Sequence, residues 1–202
     1  MIEELNGETL QICVCYASKN HVAHCLELDL MGEGSTKEEA ILRLKKIIEI
    51  QYRNSEIRDT VFRADDVDPQ WLQCHRAKPL GSPKKTTFEI RKSKIASDAE
   101  IFNIQLEIDK SPRILKNKDS WCKEYQLNKL IKLLSTMRIS WQTSEELDYG
   151  YFLGHWPAGS DGPLQSYPFY APPDTMVRWY HLRSIASRFW LDGLRSRLLR
   201  ED

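Results

Sequence analysis

Apolar and polar positions change their period several times along the first fifty residues. Thr9–Ala17 (TLQICVCYA) alternates in part and is rich in β-branched and aromatic types, which predicts a strand. Ser18-Lys19-Asn20 reads as a short turn. His21–Leu30 (HVAHCLELDL) resumes an extended pattern, with Leu26, Leu28 and Leu30 on one face and Glu27 and Asp29 on the other, until Gly32 and Gly34 break it. Ser35 and Thr36 stand three residues before Glu38 and Glu39, so either register makes a capping box. Ala40, Ile41, Leu44, Ile47 and Ile48 then recur at helical spacing, while Arg43, Lys45, Lys46 and Glu49 point outward. The pattern predicts an amphipathic helix over Lys37–Arg53 with one face against a sheet. Its early glutamates and later lysines suit the helix dipole.

Beyond the helix, Val61–Ala64 reads as a short extended piece, and Asp68-Pro69 opens a helical turn through Trp71 and Leu72. Lys78–Lys85 (KPLGSPKK) has two prolines, a glycine and three lysines, which marks a domain boundary. Thr86–Arg91 and Ile101–Asp109 both alternate, so two strands are expected on either side of a loop near Ser97-Asp98. Trp121, Tyr125, Leu127, Leu130, Ile131 and Leu134 predict a helix over Ser120–Thr136. Gly150–Pro173 holds four glycines and five prolines beside six aromatic residues. Disordered linkers are poor in aromatics, so an ordered loop packed by its own rings is expected there. After it, Asp174 is placed to cap a final helix over Thr175–Leu199. The expected organisation is a domain over residues 1–78 and a second α+β region over 86–202, with the loop at 150–173 and a C-terminal helix.

Composition narrows the class. Of 202 residues, 41% are hydrophobic and 29% charged, a globular balance. No apolar run approaches the roughly 18 to 20 residues of a membrane span. The N-terminus is acidic and polar, unlike a secretory signal. Five cysteines are too few and too scattered for a disulfide scaffold and suit a reducing cytoplasm. The net charge of zero hides an asymmetry: residues 1–70 hold 8 Lys/Arg against 14 Asp/Glu, and the remainder carries the compensating excess. Such a chain is suited to a basic partner at its front and a polyanion at its back.

The run His21–Glu49 resembles the HicB-like antitoxins. Ala23-His24-Cys25-Leu26-Glu27-Leu28-Asp29, then Gly32, Gly34, Thr36, Glu38, Glu39 and Ala40, fit that family's strand, turn and helix position by position, and Phe62-Arg63-Ala64 followed by Trp71 is similar to the tail of one branch. The likeness covers about residues 8–75. It implies an α+β chain whose N-terminal domain has a partial RNase H-like β-β-β-α-β fold. It also implies a protein-binding function, the neutralising of a HicA-type ribonuclease toxin by covering its basic RNA face. Glu27, Asp29, Glu33, Glu38 and Glu39 are the expected toxin contacts. Family members often carry a C-terminal DNA-binding module, but residues 86–202 show no helix-turn-helix or ribbon-helix-helix pattern.

Other constellations compete with simpler readings. Glu27 and Asp29, with Glu38 and Glu39, have the residue types of a two-metal nuclease, but a solvated sheet face explains them, and the resemblance implies that catalytic carboxylates are missing. Cys13, Cys15, His21, His24 and Cys25 are zinc-ligand types without knuckle spacing, so they read as core residues and no metal is expected. His155, Asp161 and His181, with Ser160 or Ser166, are acid–base types with no nucleophile elbow, metal-protease motif or phosphate loop around them. The final helix mixes arginines with Trp179, Tyr180, Phe189 and Trp190, which suits a core face flanked by charge or a base-stacking surface.

The sequence is therefore read as a cytoplasmic, non-enzymatic antitoxin-like protein without cofactor or membrane contact. One alternative is an orphan HicB-like regulator that binds DNA or RNA through Lys84, Lys85, Arg183 and Arg188. Another is an enzyme in the C-terminal half. The partners open to it are a HicA-like toxin, a nucleic acid and a second copy of the chain.

Overall fold

The alternation in the first thirty residues builds a meander of three strands, β1 (Thr9–Ala17), β2 (Asn20–Cys25) and β3 (Leu30–Gly34). In this computed structural model, residues 8–53, 67–91, 101–116, 124–144, 149–155, 164–172 and 175–198 are described. Ser18 and Lys19 join β1 to β2 with φ of 48° and 71°. Two successive positive φ values make a turn whose twist matches the strands it joins. The next turn differs from the sequence expectation. His21–Leu30 is not one extended run, because residues 26–29 turn and Cys25 pairs with Leu30. Asp29 adopts a left-handed φ of 44°, which breaks the alternation of Leu26, Leu28 and Leu30.

Helix α1 (Lys37–Arg53) spans the expected residues. Of the two capping registers, Thr36 with Glu39 forms: Thr36 Oγ1 accepts from the Glu39 amide at 3.1 Å, and Glu39 Oε2 accepts from the Ser35 amide at 2.7 Å. Ala40, Leu44, Ile47 and Ile48 are fully buried against the sheet. Close approach is possible because β3 offers glycine there. A Cβ on Gly32 would lie 2.3 Å from the Leu44 amide nitrogen. Gly32 pairs with Ala23, and Ala23 with Val14, so these residues share the face that carries α1.

The opposite face carries Cys13, Cys15, Val22, His24 and Met31, and is covered by α2 (Pro69–Arg76). Asp68 caps α2 by accepting from the Gln70 amide, and Pro69 fills the first turn, where no amide is needed. Strands β4 (Lys84–Arg91) and β5 (Ile101–Asp109) complete the sheet in the order β3-β2-β1-β5-β4. β5 runs parallel to β1, and β4 is an antiparallel edge.

This sheet corrects the expected boundary. The chain divides into Met1–Leu115 and Lys116–Asp202, so residues 86–115 belong to the first unit and not to the second. The first unit then holds 17 Lys/Arg and 19 Asp/Glu, a net of only −2, and the charge contrast of the linear sequence largely disappears.

The second unit has a two-stranded pair, β6 (Glu124–Gln126) with β10 (Met176–Arg178), and a three-stranded meander of β7 (Ser140–Ser144), β8 (Tyr149–His155) and β9 (Leu164–Tyr170). Three helices accompany them: α3 (Leu127–Thr136), α4 (Trp179–Arg188) and α5 (Leu194–Leu198). Within the expected helix over 120–136, residues 124–126 are strand and the helix runs over Leu127–Thr136. The expected loop at 150–173 contributes two strands. Its glycine and proline have strand roles: a Cβ on Gly150 would strike the Trp141 ring at 1.9 Å, and Pro168 sits on β9, an edge strand that tolerates a missing donor. The expected final helix is interrupted at Trp190, where φ is 51°. Expectations for Val61–Ala64, the Ser97-Asp98 loop, Trp121 and Asp174 lie outside the described residues. Among the described residues, no helix is long and apolar enough to cross a membrane.

The helix–sheet contact yields a test with an internal control. Gly32→Ala should destabilise the protein by about 1–3 kcal/mol or more, because the new methyl meets backbone rather than a movable side chain. Gly81 has nothing within 4 Å of its Cβ position, so Gly81→Ala should change stability by less than about 0.5 kcal/mol. Paired denaturant titrations check both.

Candidate functional site

The densest grouping of chemically capable side chains in the first unit lies between the sheet and α2. β1 supplies Cys13 and Cys15, two residues apart and therefore on one face, with sulfurs 4.0 Å apart. β2 supplies His24, the register partner of Cys13. α2 supplies Trp71, Cys74 and His75. The indole of Trp71 stacks on the His24 ring at 4.3 Å with 4° between the planes. His24 Nε2 lies 2.9 Å from Asp29 Oδ1, and its Nδ1 lies 2.9 Å from His75 Nε2. One ligand-type atom from each of Cys13, His24 and His75 falls within 4.8 Å of the others. Arg113, after β5, fastens this corner by donating to the Ala77 carbonyl at 3.0 Å and to Asp109 at 2.5 Å.

The electrostatics follow from burial. His24 and Asp29 are both 0% exposed. A carboxylate only accepts, so His24 Nε2–H donates to Asp29, and in the neutral tautomer that this fixes Nδ1 faces His75 Nε2. Burial, with the neighbouring His24 and Arg113, holds the His75 pKa down at about 3, so its imidazole is neutral. The hydrogen bond from Cys13 and burial push the Cys15 thiol up, and the bond to Cys15 and burial do the same to Cys74. Protonated, buried thiols are poor nucleophiles.

The ligand types noted in the sequence are thus divided. Cys25 lies on the α1 face, His21 meets the Tyr16 ring at 5.3 Å, and Cys13, Cys15 and His24 lie together on the other face. Sequence reasoning missed Cys74 and His75. The only available signal was a Cys-His pair on a short amphipathic helix whose docking place is not encoded locally.

The five acidic residues expected to meet a toxin do not form one surface. Asp29 is corrected outright: it is sealed in the core as the partner of His24 and presents no charge outward. Glu27 is half-buried on the β2–β3 turn and accepts from the Gln11 amide at 2.8 Å. Glu39 caps α1 and pairs with Arg43 at 2.6 Å. Glu33 lies on β3 beside Asn20. Glu38 is the most exposed of the five, with 73% of its side chain accessible and an ion pair to Lys110.

Of the basic residues expected at a nucleic acid, Lys84 and Lys85 are exposed on β4. Lysines on an edge strand also deter edge-to-edge pairing. Arg183 lies over the Trp179 ring at 5.7 Å. Arg188 is corrected: it is 2% exposed, donates to the Ser166 carbonyl at 2.7 Å, and lies over the Tyr167 ring. The acid–base types of the second unit have structural places too. His181 is buried against the Tyr167 hydroxyl at 2.7 Å, and Ser166 is buried in β9. His155 ends β8, while Ser160 and Asp161 lie outside the described residues. A pocket of about 410 Å³ in this unit is lined by Gln126, Asn128, Trp141, Thr143, Thr175 and neighbours, with no titratable side chain among its lining.

With this geometry in view, comparison with protein-family models, curated proteins and solved structures finds no match.

Two measurements test the buried corner. Asp29→Ala should cost about 2–4 kcal/mol, because it removes the acceptor of a buried imidazole and puts alanine in a left-handed conformation. Asp29→Asn keeps an acceptor and tolerates that conformation, so it should cost less than about half as much; equal losses in thermal unfolding would disprove the hydrogen-bond role. The second test is pH dependence. Desolvation raises the Glu27 pKa against the opposing hydrogen bond from Gln11. The stability contributed by its protonated form is present below the ordinary glutamate range and lost as pH rises through the raised value. Glu27→Gln should flatten that part of the stability–pH curve.

Proposed function

We propose that the chain is a HicB-like, antitoxin-type protein-binding module that neutralises a HicA-type ribonuclease. The observation that carries this reading is the placement of the HicB-like run His21–Glu49. It forms β2, β3 and α1, next to β1 in one antiparallel meander. Three antiparallel strands followed by a helix support the first part of the β-β-β-α-β order that the resemblance implies; the chain then adds α2 and the edge strand β4 before β5 pairs with β1. In this proposal the sheet and α1 display the contact surface. Glu38, on α1, supplies its acidic character, Glu33 points to the other face of the sheet with its register partner Val22, and Glu27 and Glu39 hold the turn and the helix start.

The full-length protein should bind a HicA-type ribonuclease encoded beside its gene and stop RNA cleavage. Glu38→Lys should slow association by roughly threefold or more at low salt, and the difference should shrink as salt rises. Glu39→Lys is a poorer probe, since it also removes the α1 cap. If the folded protein neither binds nor inhibits such a neighbour, the antitoxin proposal fails. Retention of nucleic acid with a steep salt dependence, lost on changing Lys84, Lys85 and Arg183 to alanine, would then support an orphan regulator.

A further inference from the structure

We propose that Cys13, His24 and His75 form a structural zinc site that fastens α2 to the sheet, with Cys15 turning in as its fourth ligand. The proposal is independent of the antitoxin reading. Four features carry it: the donor types, the convergence of Cys13, His24 and His75, the orientation of His24, and the burial of the ligands on the sheet.

Sulfur and imidazole nitrogen are the donors zinc takes in closed, four-ligand sites. Cys13 and His24 are register partners on neighbouring strands, Cys15 follows Cys13 on the same face, and His75 arrives from α2. Zn–N bonds of 2.0–2.1 Å and Zn–S bonds of 2.3 Å place tetrahedral ligand atoms roughly 3.3 to 3.8 Å apart. The atoms of Cys13, His24 and His75 lie within 4.8 Å of one another, and the His24–His75 nitrogens are 2.9 Å apart. The longest separation must close and the shortest must open, each by about an ångström or less, which side-chain rotation provides. Cys15, with its sulfur 4.0 Å from that of Cys13, lies outside that 4.8 Å set and has to rotate toward it to become the fourth ligand.

The orientation of His24 is the most specific feature. Its Nε2–H is committed to Asp29, which leaves the Nδ1 lone pair aimed at the centre of the group. This is the carboxylate–histidine–metal arrangement, in which the outer carboxylate fixes the tautomer and raises the basicity of the ligand nitrogen. Trp71 holds the ring plane from the other side. His75 would change tautomer, losing the Nε2 proton, and each cysteine would bind as thiolate, so metal uptake releases protons to solvent. Cys13, Cys15 and His24 are buried in the sheet and His75 is half-buried on α2, so a metal here would bridge the two and hold α2 in place.

The test uses the full-length protein, purified without a histidine tag. Metal analysis after dialysis should return about one zinc per chain. The metal-free protein should bind cobalt(II) with the absorption of tetrahedral thiolate coordination, and adding zinc should bleach those bands and raise the unfolding temperature. Cys13→Ser and His75→Ala should each abolish stoichiometric retention. Asp29→Asn should leave the ligands in place and weaken zinc binding by about 10–100-fold. Cys25→Ala, on the α1 face, should retain the metal. If a ligand variant fails to fold, the cobalt spectrum of the wild type still decides the question. Less than about a tenth of an equivalent of zinc, no thiolate–cobalt bands and an unfolding temperature indifferent to zinc would together overturn the site. Copper retained in place of zinc would overturn the metal assigned.

Discussion

The first unit depends on how closely α1 can approach β3. With Leu44 backbone 2.3 Å from where a Gly32 side chain would begin, the helix axis is set by the sheet's backbone rather than by side-chain bulk. Gly34 repeats this one pair along, where a Cβ would meet the Ala40 amide at 2.6 Å. Ala40 and Ala23 are small for the same reason, and Leu44, Ile47 and Ile48 fill the space that remains. A larger residue in β3 would lift the helix and open that layer along its length, which a close-packed interior does not absorb without loss. The Thr36–Glu39 cap fixes where the helix begins, and Gly32 and Gly34 fix how near it lies.

The two faces of the same sheet are stabilised differently. On the α1 side the buried contacts are apolar and non-directional, and the directional ones, such as Arg43 to the Glu33 carbonyl, lie at the rim. On the α2 side they are directional: His24 is bonded at both ring nitrogens, Trp71 stacks on its plane, and Arg113 ties the end of α2 to the chain after β5. An eight-residue helix has little propensity to stand alone, so α2 depends on those contacts. This is why a zinc ion between His24 and His75 would matter to the fold rather than to catalysis. It would replace one neutral hydrogen bond by coordination to side chains of both layers.

The antitoxin and zinc proposals make separate demands on the molecule. The first needs an accessible surface, and Glu33, Glu38 and the exposed face of α1 lie on the outside of the unit. The second needs a sealed interior. Removing Asp29 from the acidic set reassigns one residue from the first to the second, and the near-neutral charge of Met1–Leu115 makes shape and backbone order more important than bulk acidity in any docking.

The sequence alone determined α1, its cap and its buried face, because helical period and capping chemistry are local properties of consecutive residues. It also determined the strands β1, β4 and β5, through partial alternation and β-branched composition in β1 and regular alternation in β4 and β5. It could not determine that Asp29 turns the chain, since Glu27 and Asp29 between leucines imitate a solvated strand face until the carboxylate is seen bonded to a histidine five residues earlier. It could not place Lys84–Asp109 in the first unit, because KPLGSPKK looks the same whether it separates domains or leads into the edge of an existing sheet. The strands at 149–155 and 164–170 were hidden by glycine and proline, whose meaning changes once a Trp141 ring or a sheet edge lies beside them. The meeting of Cys13, Cys15 and His24 with His75 was decided by tertiary structure only: the β1–β2 register aligns the first three, but the docking of α2 spans some fifty residues of chain, and no periodicity reaches that far.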